Sequence, residues 1–111
     1  MSVPAIKQDE MYQLLREERI EEFNQRYAAG ERFDLTNCDF RGLDLRGLNA
    51  AGIDFSGSYF RQADLRGIDF QQSKLNGCSI NGAKISGVYF PRELNAAEIE
   101  MSLLHGTRMR Y

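Results

Sequence analysis

The sequence has little of what most catalytic and metal sites require: one histidine, His105, and two cysteines, Cys38 and Cys78, among 111 residues. The cysteines are far apart, so they form no Cys-x-x-Cys pair and no metal cluster with His105. The formal net charge of −2 argues against the basic surface of a typical nucleic-acid-binding protein. No apolar run approaches the length of a membrane span, and the first ten residues lack the layout of a secretory signal. We therefore expect a single-domain cytoplasmic protein with reduced thiols, no cofactor, and no binding to nucleic acid or membrane.

What the sequence does have is apolar side chains that recur every five residues, a spacing of neither a strand nor a helix. Residues 33–92 divide into twelve consecutive five-residue units in one register. The first position is apolar or small, Asp or Asn is common at the second, and Arg or small polar residues fill the fourth. The fifth position is Gly in eight units. The third position is apolar throughout and supplies the predicted core: Leu35, Phe40, Leu45, Ala50, Phe55, Phe60, Leu65, Phe70, Leu75, Ile80, Ile85 and Phe90.

This pattern resembles the pentapeptide-repeat family, whose loose consensus is A(D/N)LXX. The resemblance implies an all-β solenoid: a right-handed quadrilateral β-helix with one unit on each side, hence about three coils over residues 33–92. Strand alternation would then point the first and third residues of each unit inward and the second outward, while glycine supplies the corner. The family usually has small residues at the first position. Bulky ones here, such as Phe33 and Leu43, predict a wider or locally distorted coil.

The segments that flank the repeats predict helical caps, since an uncapped coil exposes its apolar core and unpaired backbone groups at each end. Residues 9–29 read as one amphipathic helix with Asp9 as its N-cap and Gly30 after its end. Its apolar face is predicted to cover the first coil, and the alternative is a free helix that binds a partner. We divide the single structural domain into an N-terminal cap (1–32), the repeats (33–92) and a C-terminal helix and tail (93–111).

The C-terminal helix is predicted to begin after Asn95, in a capping-box-like start, and to end at Gly106. Its apolar residues form two strips, of which Ile99 and Leu103 are expected to seal the last coil. For the second strip we favour self-association as a homodimer, because family members often dimerise through a terminal element. The alternative is that one wide apolar face caps the coil. The second strip consists of Ala97, Met101 and Leu104.

Two tyrosines, Tyr59 and Tyr89, occupy the outward second position, where the pattern otherwise supplies polar residues. Exposed aromatic side chains are candidate anchors for a partner, and the alternative is that they pack beneath a terminal helix. Arginines at the fourth position can pair with the outward Asp residues, and in such columns they are usually solvated surface. The alternative is a basic stripe that binds an acidic partner. The candidate partner surface comprises Tyr59, Tyr89, Arg41, Arg61, Arg46 and Arg66.

An enzyme site needs reactive groups that converge in a concavity, and the pattern predicts none. His105 lies in the last turn of the second predicted helix, where a cation suits the helix dipole. We predict a non-enzymatic module for interaction with an unidentified protein, with a bacterial origin implied by the resemblance. The alternative comes from the quinolone-resistance members of the family, which are thought to mimic DNA and engage DNA gyrase. That mode needs a long acidic rod, whereas three coils span roughly 15 Å and the surface mixes cations with Asp.

Overall fold

The computed structural model describes residues 3–111. It contains three helices: α1 (Glu10–Arg16) and α2 (Ile20–Ala28) precede the repeats, and α3 (Ala96–His105) follows them. No helix within the described residues is both long and apolar enough to cross a membrane.

The repeat region winds into a coil whose successive turns are joined by parallel bridges between residues twenty apart, such as Asp39 with Tyr59 and Tyr59 with Ser79. Twenty residues are four units, so each turn has four sides. Each bridge is isolated, and residues 3–111 contain no continuous strand, because a side leaves only a few extended residues between two corners. Pairing between turns is therefore limited to single-residue bridges, and the strands of the expected all-β solenoid are not found within the described residues. We name the sides A (33–37, 53–57, 73–77), B (38–42, 58–62, 78–82), C (43–47, 63–67, 83–87) and D (48–52, 68–72, 88–92).

The corners are tight turns in which glycine has a positive φ. At one of them the Leu43 N–H donates to the Phe40 carbonyl over 3.4 Å, and Gly42 between them has φ +73°. A positive φ at this position is the mark of a type II turn, which glycine adopts without a side-chain clash. Asn37 and Gln62 replace glycine at two corners and take the same left-handed conformation, with φ of 54° and 59°. The period of five is thus a short side plus a corner.

The inward third positions form the core of the coil. The ten from Leu35 to Ile80 are buried, whereas Ile85 and Phe90 in the last turn are only half-buried. The middle of the core is aromatic. Its neighbouring rings lie with centroids 5.1–6.0 Å apart. These rings belong to Phe40, Phe55, Phe60 and Phe70.

Small polar residues at the first position tie one turn to the turn before it. The Ser58 hydroxyl donates to the Leu35 carbonyl over 2.9 Å, and the Ser73 hydroxyl donates to the Ala50 carbonyl over 2.6 Å. No buried side-chain nitrogen or oxygen within residues 3–111 lacks a hydrogen-bond partner. Buried polar groups destabilise a fold only when they are unpaired, so these serines are compatible with the core.

The prediction of one helix over residues 9–29 is wrong, because the chain breaks between α1 and α2. Glu18 in the break has φ +59°, and its carboxylate accepts from the Asp44 N–H over 2.5 Å. The break turns both helices toward the coil, so that Tyr12 and Phe23 are fully buried. The predicted N-cap is confirmed: the Asp9 side chain accepts from the Tyr12 N–H over 2.9 Å.

We call the end of the coil formed by residues 33–52 the N-terminal mouth, and cap groups reach all four of its sides. Ala5 pairs with Cys38 at the border of sides A and B, where its N–H donates to the Asn37 carbonyl and its carbonyl accepts from the Asp39 N–H. Glu18 reaches side C as described above. At the corner between sides C and D, the Asn24 side chain donates to the Gly47 carbonyl and accepts from the Asn49 N–H. The cap therefore replaces parts of a missing turn on every side.

We call the end formed by residues 73–92 the C-terminal mouth, and α3 and the tail close it on sides A and B. Backbone groups of Met109 accept from the Gly77 N–H and donate to the Cys78 carbonyl. The Ser102 hydroxyl accepts from the Ile80 N–H over 2.9 Å, and the Tyr111 hydroxyl accepts from the Leu75 N–H over 2.8 Å. Within residues 3–111, sides C and D of this mouth make no such hydrogen bonds to α3 or the tail.

The ends of α3 follow the sequence prediction, with one difference. Asn95 caps the helix by accepting from the Ala97 N–H, and Gly106 ends it in the left-handed conformation at φ +74°. Glu98 does not complete a capping box, since its carboxylate accepts instead from the Arg110 N–H over 2.9 Å. Glu98 thereby holds the tail against the helix.

Candidate interaction surfaces

The structure separates the predicted partner surface into three sides of the coil. Tyr59, Arg41 and Arg61 lie on side B, and Arg46 and Arg66 lie on side C. Tyr89 lies on side D, where it is bridged to Asp69. Sides B and D are opposite one another, so no single flat contact includes both tyrosines. The twenty-residue register could have revealed this from the sequence, because 59 and 89 are six units apart.

Tyr59 is half-buried beneath two guanidinium groups. The Arg61 and Arg108 guanidinium carbons lie 4.1 and 4.9 Å from its ring centroid, within the range of cation–π attraction. Arg61 also donates to the Gly106 carbonyl, and Arg108 donates to the Gly57 and Gly77 carbonyls. Tyr59 is therefore part of a joint that fixes the tail to side B. Arg108 lies beyond the repeats, where no sequence motif indicated this role.

Tyr89 is the free aromatic side chain of the pair, with 59% of its surface exposed. Its column on side D otherwise presents the exposed polar residues Asn49 and Asp69. No helix within residues 3–111 covers it. Of the two tyrosines, Tyr89 is the one available to a partner.

Three of the four arginines of the predicted basic stripe are engaged by carboxylates two residues earlier, and the fourth, Arg61, lies over Tyr59 instead. Arg41 pairs with Asp39 over 2.7 Å, and Arg66 pairs with Asp64 over 2.7 Å. Arg46 pairs with Asp44 over 2.8 Å and with Asp64 over 3.4 Å. The hydrogen bond from Arg66 lowers the pKa of Asp64 to about 2. Asp39, Asp44 and Asp64 are thus each neutralised by an arginine, whereas Arg61 is held by the Ser79 hydroxyl and the Gly106 carbonyl.

The two large side chains of the second apolar strip of α3 are exposed. Met101 is 46% exposed and Leu104 is 61% exposed. Together with Ala97 and Glu100 they line a shallow hollow of about 250 Å³. The first strip, Ile99 and Leu103, is half-buried against the core.

The uncovered half of the C-terminal mouth is a feature that the sequence analysis missed. We call the backbone of residues 83–92 at this mouth the open edge. Within residues 3–111, no hydrogen bond is made by the N–H groups of Ile85, Gly87 and Phe90 or by the carbonyls of Ala83 and Val88. The equivalent groups on sides A and B are all paired except the Ser73 carbonyl. The only sequence signal was the short length of α3, about 15 Å for ten residues, which limits what it can cover.

The nucleophilic side chains are held in structural roles. Burial raises the pKa of the Cys38 thiol to about 11 and that of the Cys78 thiol to about 12, which keeps both protonated. His105 is exposed at the end of α3. No group of three or more His, Cys, Asp or Glu side chains within residues 3–111 is arranged to hold a metal ion.

A coil of four-sided turns with glycine corners and outward polar columns defines a repeat protein built from five-residue units. A family model for pentapeptide repeats matches residues 31–61 and 53–90, in eight copies. The match spans more than half of the chain, which therefore belongs to the pentapeptide-repeat family. No curated protein and no solved structure matches this chain.

Proposed function

We propose that this protein is a non-enzymatic module that presents side chains at fixed spacing to a protein partner. The observation that carries the proposal is Tyr89, an exposed aromatic side chain held on a coil whose buried polar side chains are all paired within residues 3–111. A rigid aromatic side chain gains contact area at little cost in conformational entropy, which is why tyrosines are common anchors in interfaces. The family to which the chain belongs supports an interaction scaffold.

The positions of the candidate nucleophiles support a role without catalysis or cofactor. Ser58 and Ser73 direct their hydroxyls inward to backbone carbonyls, and neither has a histidine beside it. The thiols of Cys38 and Cys78 are buried and protonated. A nucleophile needs an adjacent base or a lowered pKa, and these groups have neither.

We further propose that the coil is the right-handed quadrilateral β-helix of about three coils implied by the family, and that the protein is bacterial and works in the cytoplasm. The parallel bridges at twenty-residue spacing support the four-sided winding. Mimicry of DNA toward gyrase is the weaker alternative, since Asp39, Asp44 and Asp64 are each neutralised by an arginine. A supercoiling assay that stays unaffected by excess protein would dispose of that alternative.

Self-association is the second part of the proposed function, through the α3 strip of Ala97, Met101 and Leu104. Burying the exposed surfaces of Met101 and Leu104 favours a dimer. The double variant Met101→Glu and Leu104→Glu is expected to halve the solution mass measured by analytical ultracentrifugation. Ile6→Glu is the matched control, since Ile6 is an exposed apolar residue away from α3. An unchanged mass in the double variant would exclude this surface as a dimer contact.

The test of partner binding separates the two tyrosines, because they lie on opposite sides. Immobilised wild-type protein, Tyr89→Ala and Tyr59→Ala are each used to capture proteins from the native cell. A specific partner is expected to be retained by the wild type and lost with Tyr89→Ala. Asp69→Ala, a change in the same column, is the control for side D. Identical capture by wild type and Tyr89→Ala would exclude Tyr89 as the anchor.

A further inference from the structure

The open edge presents backbone groups in the same order that joins one turn to the next elsewhere in the coil. On side C, the Leu65 N–H donates to the Lys84 carbonyl, and the Lys84 N–H donates to the Ala63 carbonyl, each over 2.9 Å. The corresponding groups one turn later are the Ile85 N–H and the Ala83 carbonyl, and they have no partner within residues 3–111. The same holds on side D. The edge is therefore a template for two more sides.

The side chains beneath the open edge are also incompletely covered. Leu65 and Phe70 are each 1% exposed, whereas Ile85 and Phe90, one turn later in the same columns, are half-buried. Val88 beside them is half-buried as well. One more turn on sides C and D would complete their burial, which favours an occupant with apolar side chains at the inward positions.

An extended segment fits this template better than a helix or a second copy of the chain. A helix has paired most of its backbone groups internally, so it reaches edge donors only with side chains or with carbonyls of its last turn, as α3 does on side B, and offers no continuous row of partners. The N-terminal mouth of a second copy already carries cap residues on every side, and these stand in the way of the open edge. Two C-terminal mouths facing each other are held apart by α3, whose diameter is about 10 Å, whereas strand pairing needs about 4.8 Å.

The charges around the open edge indicate the character of the segment. Lys84 and Arg92 are exposed and make no ion pair within residues 3–111. Asp64, which is bridged to Lys84, is already paired with Arg46 and Arg66, and Glu93 follows Arg92 in the chain. These two cations without an ion-pair partner favour acidic side chains on the outward positions of the occupant.

We propose that the open edge binds an extended, acidic segment of a protein partner, which runs parallel to residues 83–92 and adds two further sides to the coil. This mode of binding is β-augmentation, in which main-chain hydrogen bonds give affinity and alternate side chains give specificity. The inference deepens the proposed interaction function and rests on it, but it concerns a surface other than Tyr89.

The test uses the full chain labelled with ¹⁵N and a blocked ten-residue peptide, ADLEGADFEG, which has two repeat units. The peptide is expected to shift the amide resonances of Ile85, Gly87 and Phe90 and to slow their hydrogen exchange by about tenfold or more. The control peptide carries N-methyl groups on both Asp residues, whose N–H groups would face the Ala83 and Val88 carbonyls. It is expected not to bind.

Charge variants test the acidic preference. The double variant Lys84→Glu and Arg92→Glu is expected to bind the peptide at least about tenfold more weakly. Lys74→Glu is the matched control, because Lys74 occupies the same repeat position of the same turn on side A, where the tail covers the mouth. A peptide with Lys in place of its first Asp, which would lie over position 84, is expected to recover part of the binding to the double variant.

Three results would overturn the inference: no shift at these amides with millimolar peptide and folded protein, equal binding of the N-methylated peptide, or equal loss in Lys74→Glu. Protection of the same amides without peptide, together with a dimeric mass, would assign the edge to a second copy and also overturn it. If the peptide does not bind while capture of a partner through Tyr89 succeeds, only the inference about the open edge is rejected. If capture fails and the peptide binds, the role of Tyr89 falls instead.

Discussion

The two mouths of the coil differ in how completely their edge backbone groups are paired. At the N-terminal mouth, cap groups such as Ala5, Glu18 and Asn24 provide a partner on every side of the first turn. At the C-terminal mouth, α3 and the tail pair sides A and B and leave sides C and D open. A coil end left unpaired is prone to association. The comparison shows that a helix at a mouth does not by itself pair the edge backbone. Each unpaired N–H or carbonyl needs a particular residue of the cap within hydrogen-bond distance.

The largest expected effect compares two positions in one column of side C. Leu65→Arg in the middle turn is expected to abolish folding, because it buries a charge without a partner. Ile85→Arg, one turn later at the open edge, is expected to cost about 1 kcal/mol or less, because its side chain can reach water. Circular dichroism with thermal melting measures both variants. A folded Leu65→Arg with the parent melting temperature would contradict the assigned core, and an unfolded Ile85→Arg would contradict the open edge.

Removal of the tail is expected to break the C-terminal mouth alone. A chain ending at Gly106 loses Met109, which pairs with the last turn beside Cys78, and Arg108, which joins the tail to side B. The Cys78 thiol is then expected to react with a thiol reagent about tenfold faster or more, because burial no longer protects it. Cys38, under the N-terminal cap, is expected to stay inert. The variants Cys38→Ser and Cys78→Ser assign the reacting thiol, and equal reaction of both thiols would mean that the tail supports the whole coil.

The same chemical change at both mouths gives a smaller effect. The Tyr12 hydroxyl is buried and donates to the Asp39 carbonyl over 2.5 Å. Tyr12→Phe leaves that carbonyl poorly paired and is expected to lower the free energy of unfolding by about 1–2 kcal/mol. Tyr111 is 39% exposed, so Tyr111→Phe is expected to cost less than about 1 kcal/mol, since water can replace its hydroxyl. Urea denaturation compares them, and a larger loss in Tyr111→Phe would reverse the order of the two mouths.

The smallest expected effect is the loss of stability at acid pH that arises from Asp64, on side C between the two mouths. The pKa of Asp64 is lowered to about 2 from an ordinary value of 3.8, first by the hydrogen bond from Arg66. A lowered pKa in the folded state means that the stabilisation is fully present above about pH 4 and is lost as the pH falls through about 2. Asp64→Asn is therefore expected to lose less stability over this interval than the wild type. Parallel losses in denaturation at pH 5 and pH 2.5 would contradict the role of the pair.

The periodic part of the molecule was predictable because each unit carries its own signal. Glycine marks the corner, an apolar third residue marks the interior, and a second-position Asp marks the outside, so twelve repetitions left little ambiguity about the register. The half-buried state of Ile85 and Phe90 was not predictable from these signals, because it depends on what lies beyond the last unit.

The parts that sequence reasoning missed depend on contacts between distant segments. The break at Glu18 interrupts a pattern that reads as one continuous amphipathic helix, and what occupies the break is a hydrogen bond to Asp44, twenty-six residues away. The contact of Arg108 with Tyr59 joins the tail to the middle turn in the same way. No local pattern encodes such pairings.

The twenty-residue turn also fixes how the length and the orientation of the molecule are related. An insertion of four units into the coil would raise α3 by one strand spacing, about 4.8 Å, and leave its direction unchanged. An insertion of a single unit would instead swing α3 by a quarter turn relative to α1 and α2. Adding single repeats to this protein would therefore change the relative orientation of its two ends more than the distance between them.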